Sequence, residues 1–209
     1  GEGWNFGEVA NNARFEQANQ LNMAGTGIGT FSDRLRDAAR GGGCCDSGEA
    51  LVKNQGFISG LYTIPNSRNS GSDSERQALL DASDLIKLGL TGNLRDFRLV
   101  NNSGKVTTGG EMNYGGQPAG YALDPQEVVS YVSKHDNQTL WDIIQYKAAE
   151  HLSADDRARM QVLALSLPLL GQGVPFIHMG SELLRSKSME RDSYDSGDWY
   201  NRVDYGLSD

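Results

Sequence analysis

The sequence predicts an α/β protein built on a parallel sheet, and three observations carry that reading. Within 127–132 the β-branched and aromatic residues Val128, Val129, Tyr131 and Val132 suit a buried strand. Apolar residues spaced three and four apart, as in Ala78, Leu79, Ala82, Leu85 and Ile86 or in Met160, Leu163, Ala164 and Leu167, suit amphipathic helices. A second short apolar run, 173–179, follows the last helix, and the alternation of strand and helix is that of a parallel sheet with helical crossovers.

Gly1-Glu2-Gly3-Trp4 opens the chain with a carboxylate between two glycines and beside an indole. Local sequence alone leaves Glu2 equally an ordinary exposed acid. Phe15, Ala18, Leu21 and Met23 give helical spacing over 14–24, and 25–31 reads as a thin, Gly-rich strand. Ser32 is a plausible N-cap for a helix holding Leu35, Ala38 and Ala39, which Gly41-Gly42-Gly43 ends. The polar, Gly/Ser-rich stretch 44–74 predicts a long surface excursion. A helix from Glu75 stops at Gly89 or Gly92. The segments 97–100 and 105–108 flank Asn101-Asn102-Ser103-Gly104 as a small hairpin. A second Gly-rich loop, 109–125, offers Tyr114 and Tyr121 to line a groove or merely to pack the loop. Beyond the strand at 127–132 a short helix spans 141–149. Ser153-Ala154-Asp155-Asp156 resembles a capping box before the helix over 157–170, which Pro168 is expected to bend or end. His178, inside an apolar run, reads as a satisfied core histidine.

Composition bounds the function. With 19 Lys and Arg against 27 Asp and Glu the formal charge is −8, and no basic run occurs, which argues against a nucleic-acid partner. The longest apolar stretch, 162–170, is too short to span a bilayer and holds Ser166 and Pro168, so no membrane role is expected. The two cysteines, Cys44 and Cys45, are neighbours, a spacing that suggests neither a disulfide framework nor a zinc site, and inert thiols are expected.

The chemistry-bearing stretch is 131–141. His135, Asp136 and Asn137 bring an imidazole, a carboxylate and an amide to the end of the predicted strand, a set able to bind hydroxyls on one side of a ring. A structural His-Asp pair is the plainer alternative. The tail 191–205 is dense in acids, aromatics and amides, the mixture sugar sites use, because ring faces stack on aromatics while hydroxyls need planar polar partners.

Gly1-Glu2-Gly3-Trp4, the run Gly27-Ile28-Gly29-Thr30-Phe31-Ser32-Asp33-Arg34-Leu35-Arg36-Asp37, and the stretches 131–141, 180–188 and 192–205 together resemble the pullulanase-type (limit dextrinase-like) debranching enzymes of the α-amylase superfamily. The resemblance covers nearly the whole chain and implies the C-terminal half, about strands 5 to 8, of a (β/α)8 TIM barrel with loop and hairpin insertions. Residues 1–209 would then be a partial catalytic domain whose N-terminal half is missing. It implies that Glu2 is the general acid/base, that Asp136 is the carboxylate stabilising the transition state, and that His135 binds hydroxyls of the sugar being cleaved. It further implies that Trp4 is an aromatic platform on the leaving-group side and Asp192 a sugar ligand in a neighbouring subsite.

The implied substrate is an α-glucan, cleaved at α-1,6 branch links as in pullulan, amylopectin or limit dextrins. The implied mechanism is retaining double displacement, in which the acid holds its proton until the leaving oxygen takes it. No cofactor is implied for the chemistry, and a structural calcium would have no assignable ligands. An extracellular or cell-surface setting is favoured by the resemblance alone. Two departures stand out: Cys44-Cys45 replaces an expected Pro-Phe, and Asn5 stands where Asp is common. The family's nucleophile, an Asp in a Phe-Arg-Phe-Asp type motif, has no counterpart here and is expected upstream of Gly1, which makes the segment inactive by itself. A branching enzyme or glucan transferase of the same superfamily, or a non-catalytic glucan-binding protein, are the rival readings.

Overall fold

The computed structural model describes residues 1–4 and 17–206. In chain order the elements are α1 (Gln20–Met23), β1 (Thr30–Phe31), α2 (Asp33–Arg40), α3 (Gly48–Lys53), α4 (Asp73–Leu90), β2 (Arg98–Val100), β3 (Val106–Thr108), β4 (Asn113–Tyr114) and β5 (Gln117–Pro118). They continue with β6 (Val128–Ser130), α5 (Leu140–Lys147), α6 (Ala154–Leu170), β7 (Val174–Pro175) and α7 (Asp198–Asn201).

The organising sheet has the order β1-β6-β7, with both pairings parallel: Phe31 lies opposite Val129, and Val129 opposite Val174. The β-branched run found in the sequence thus forms the central strand. This parallel sheet holds three strands among the described residues, and residues 1–4 join none of them. The predicted hairpin forms as β2 against β3, and β4–β5 is a second small hairpin inside the loop read as irregular.

The core lies in the helical layer beside the sheet, where Leu35, Ala38 and Ala39 of α2 meet Ile86 of α4, Leu140 and Ile144 of α5, and Ala164 and Leu167 of α6. Helices α2 and α4 pack closely because Gly89 lacks a Cβ, which would sit 2.7 Å from a Leu35 methyl. Helix α4 starts where Ser72 accepts from the Glu75 N–H and the Glu75 carboxylate accepts from the Ser72 N–H, and Ser153 with Asp156 starts α6 likewise.

Several expectations are corrected. The helix expected over 14–24 is described only as the single turn α1; Asn5 and residues up to Glu16 lie outside the described residues. Residues 44–74 are no mere surface excursion: they contain α3, and Leu51, Gln55, Ile58, Ser59 and Asn66 are buried. Polar composition misled there because Gln55 and Asn66 satisfy backbone carbonyls from inside, Gln55 Nε2 donating to Ile64 O (3.1 Å) and Asn66 Nδ2 to Lys147 O (3.0 Å). Leu163 is exposed although it shares the apolar spacing of α6, and α6 runs two residues past Pro168 to Leu170. The sulfurs of Cys44 and Cys45 are joined as a disulfide between chain neighbours, so they are not the inert thiols expected. His178 is half-buried rather than fully in the core, with Nε2 3.2 Å from Arg185 Nη1; burial, then the charges of Arg185, Lys187 and His135, push it down to about 4. Among the described residues no helix is long and apolar enough to cross a membrane.

Candidate active site

One cleft lies beyond the end of β6. Its first wall is the N-terminal segment. Gly1 N donates to Gly29 O (2.9 Å) and Gly3 O accepts from Gln20 N (3.0 Å), so Glu2 is held beside the start of β1. Gly3 has φ +76° and lies against Thr30, where a Cβ would meet the Thr30 Cβ at 2.9 Å, so the segment approaches β1 only as glycine. Gln20 then ties this wall to α2 through Phe31 O (2.6 Å), Asp33 Oδ1 (3.0 Å) and the Arg34 guanidinium.

The second wall follows β6. Tyr131 packs edge-to-face on Phe31 with ring centroids 5.1 Å apart, and its hydroxyl accepts from Arg36 Nη1 at 2.8 Å. Val132 and Ser133 remain buried, and the chain emerges at His135 and Asp136 before Asn137 turns it with φ +63°. Thr139 then caps α5, its hydroxyl accepting from Asp142 N at 3.2 Å.

The third wall hangs from α5. Buried Asp142 accepts from Ser186 Oγ (2.5 Å) and Lys187 N (2.8 Å), and Lys187 Nζ donates to His135 O (3.4 Å) and Arg191 O (3.2 Å). That chain of bonds carries Asp192 to the rim, where Arg191 pairs with it at 3.0 Å.

The cleft between these walls has a volume of about 690 Å³ and is lined by Glu2, Trp4, Asp136, Asn137 and Asp192 together with Lys134, Asp33, Arg36, Gln117 and the Cys44–Cys45 pair. Of the five site residues expected from sequence, four line it. The fifth, His135, sits at its edge with Nε2 3.3 Å from Asp136 Oδ1. Glu2, His135 and Asp136 each bring an oxygen or nitrogen within 4.8 Å of the others.

Sequence reasoning missed the group between the two acids. Lys134 Nζ donates to Glu2 Oε1 at 3.2 Å and also to Asp136 Oδ2. Burial pushes the Asp136 carboxyl up, but the hydrogen bond and charge of Lys134, with the charges of His135 and Lys187, outweigh it and hold Asp136 below the usual carboxylate range. The trio Glu2, His135 and Asp136 has the donor types of a metal site, yet the ammonium already lies on both carboxylates, which does not suit a metal ion.

Helix α2, which lends Asp33 and Arg36 to the lining, is charged as well. Arg34, 1% exposed, donates to Asp33 Oδ1 (2.6 Å) and Pro118 O (3.1 Å) and lies 4.8 Å from the ring centroids of both Tyr114 and Tyr121. Arg36 pairs with Asp37 (2.6 Å), whose other oxygen accepts from the Tyr114 hydroxyl (2.5 Å). Tyr114 and Tyr121 are absent from the cleft lining, and their rings cover a buried guanidinium instead. The signal was present in Asp33-Arg34-Leu35-Arg36-Asp37, where charges alternate in a helix that also carries the core residues Leu35, Ala38 and Ala39. From the tail only Asp192 reaches the cleft lining, while Tyr194, Trp199 and Tyr205 are exposed.

No protein-family model matches the chain. A pullulanase of Klebsiella aerogenes is 58% identical over all of this chain, and pullulanase 1, chloroplastic, of Arabidopsis thaliana is 49% identical over the same extent. The chain spans 18% and 21% of those relatives' lengths. The maltotriose complex of PulA from Klebsiella pneumoniae, 57% identical, superposes with a TM-score of 0.92 over 99% of this chain and 22% of that one. The chain is therefore similar over its whole length, in sequence and in backbone course, to one segment of these pullulanases.

Proposed function

We propose that this chain supplies the acid/base side of the active site of a debranching glycoside hydrolase that cleaves α-1,6-glucosidic links in pullulan, amylopectin or limit dextrins. The observation that carries the reading is that Glu2 and Asp136, at distant points of the chain, bring their carboxyl oxygens within 4.8 Å of each other in one cleft. A relative of the same backbone course has been crystallised with maltotriose, which supports an α-glucan as the ligand of that cleft. Three parallel strands flanked by helices, with the cleft beyond the end of the central strand, support the C-terminal half of a (β/α)8 barrel. The short span relative to its relatives supports a nucleophile contributed by residues outside 1–209.

In this mechanism Glu2 protonates the leaving glucosidic oxygen and later takes a proton from the incoming water. Asp136, held ionised, favours positive charge developing on the sugar ring, and His135 donates to the hydroxyls of the same sugar. Trp4 offers a ring face to the leaving-group sugar, and Asp192 binds a sugar in the neighbouring subsite.

The test uses the full-length protein that carries this segment. Glu2→Gln is expected to lower turnover of pullulan by at least ~10²-fold, while a glycosyl fluoride, whose leaving group needs no acid, still forms the intermediate. Asp136→Asn is expected to lower turnover for good and poor leaving groups alike. Leaving-group dependence in Asp136→Asn and its absence in Glu2→Gln would interchange the two roles, and indifference to both would remove the site.

A further inference from the structure

Lys134 is 4% exposed, and its ammonium lies over the Phe31 ring, 5.7 Å from the centroid. Its carboxylate partners come from two places that share no local sequence, Glu2 across the cleft and Asp136 two residues on. His135 Nε2 approaches the other Asp136 oxygen, so the loop after β6 engages both oxygens of that carboxylate, whereas Glu2 is held through Oε1 alone among the described residues. Two carboxyls this close repel each other when ionised, and a neutral side chain at 134 would leave that repulsion to set their separation. An ammonium between them sets it instead, and with Oε1 engaged the transferable proton belongs on Oε2 of Glu2.

We propose that Lys134 is a positioning residue that clamps the Glu2 and Asp136 carboxyls onto one ammonium and so fixes the acid/base and the charge stabiliser relative to the scissile bond. The proposal rests on the glycosidase reading of the same cleft. It explains why a lysine with a buried stem ends at the cleft, where a salt bridge has little to contribute to folding but decides catalytic geometry. Besides Lys134, the charged groups facing Asp136 are Glu2 of the N-terminal segment, His135 on its own loop, Lys187 and Asp192 of the segment after β7, and Asp33 and Arg36 of α2 across the cleft.

The test compares Lys134→Met and Lys134→Arg in the full-length protein, with pullulan as substrate, reading kcat, KM and the pH dependence of kcat/KM. Lys134→Met is expected to lose on the order of 10²-fold in kcat with KM little changed, as for a misplaced catalytic group. Loss of the cation makes Asp136 harder to ionise, so the acid limb of the profile should move to higher pH. Lys134→Arg keeps the charge and should return the acid limb to its wild-type position while recovering only part of kcat, since the guanidinium is larger. An acid limb that stays in place in Lys134→Met overturns the proposal whatever happens to kcat, because a merely structural residue lowers activity without moving it. Where Lys134→Met does not fold, Lys134→Gln against Lys134→Arg makes the same comparison, and coincident limbs overturn the proposal. Glu2→Gln separates the two ideas. Full activity in that variant removes the glycosidase site itself, whereas an inactive Glu2→Gln beside an unshifted Lys134→Met removes only the clamp.

Discussion

Helix α2 buries three arginines, Arg34, Arg36 and Arg40, while α6 leaves Val162, Leu163, Leu169 and Leu170 exposed, Leu170 at 81%. The buried charges are tolerable because each is answered: Asp33, Gln20 and two tyrosine faces for Arg34, Asp37 and the Tyr131 hydroxyl for Arg36, and Val132 O for Arg40. Arg36 shows the balance: burial pulls its pKa down, but Asp37 and the tyrosines more than reverse it and keep the guanidinium charged. The exposed aliphatics have no such answer. Val174 of β7, at the edge of the sheet among the described residues, and Met179 beyond it are exposed too, so the first flank answers its own charges while the second leaves apolar side chains of the kind proteins cover.

The largest expected effect concerns that second flank. The 209 residues expressed alone should fail to give a stable monomer, which sedimentation and thermal melting would read. A cooperative melt from a monodisperse monomer would break the comparison by showing that the α6–β7 flank needs no cover.

Next comes Arg34→Met on the first flank, which leaves the partly buried Asp33 carboxylate with Gln20 but without its ion-pair partner, and two rings over an uncharged stem. A loss of about 3–5 kcal/mol is expected in urea unfolding of the full-length protein. By contrast Leu170→Ser is expected to change stability by several times less while that residue stays in solvent, and a comparable loss in the full-length protein would show that α6 is covered there.

The smallest effect sharpens the first flank by pH. Lys147 at the end of α5 donates to Gly41 O (2.9 Å) and Asn54 O (2.5 Å), and burial, reinforced by the charge of Arg40, pushes it down from 10.5 to about 8. Below about 8 both folded and unfolded chains hold the proton and the full burial penalty is present. Between about 8 and 10.5 the unfolded chain binds more protons than the folded one, so stability should rise with pH, at most by about 1.4 kcal/mol per unit. Urea midpoints measured from pH 7 to 10 in wild type and Lys147→Met would show it. Equal slopes in the two proteins would mean that Lys147 is not held as its contacts indicate.

The comparison also marks where sequence reading succeeds. Helix α4 was legible from its apolar spacing, the start of α6 from the capping box at Ser153 and Asp156, and the central strand from Val128 to Val132, because caps and side-chain periodicity act over a few residues. The opposite happened at 44–74 and in α2. Asn66 and Arg34 look like surface residues until their partners, Lys147 O and Pro118 O, arrive from 81 and 84 positions away. In α6 the spacing that places Ala164 and Leu167 in the core also includes Leu163, whose exposure depends on which neighbours reach that face.

The five residues expected at the site follow from the family resemblance, and the sequence by itself determined their chemical types and their order, together with the local elements that carry them. What only the tertiary structure decided was who meets whom. Lys134 reads as one more polar residue in Ser133-Lys134-His135, and nothing local ties it to a carboxylate 132 positions earlier. Only the parallel pairing of β1 with β6, with Gly3 pressed against Thr30, sets Glu2 opposite the loop after β6. An ion pair between such distant groups is fixed by the packing of the sheet that carries both, a non-local contact that propensity and spacing do not encode.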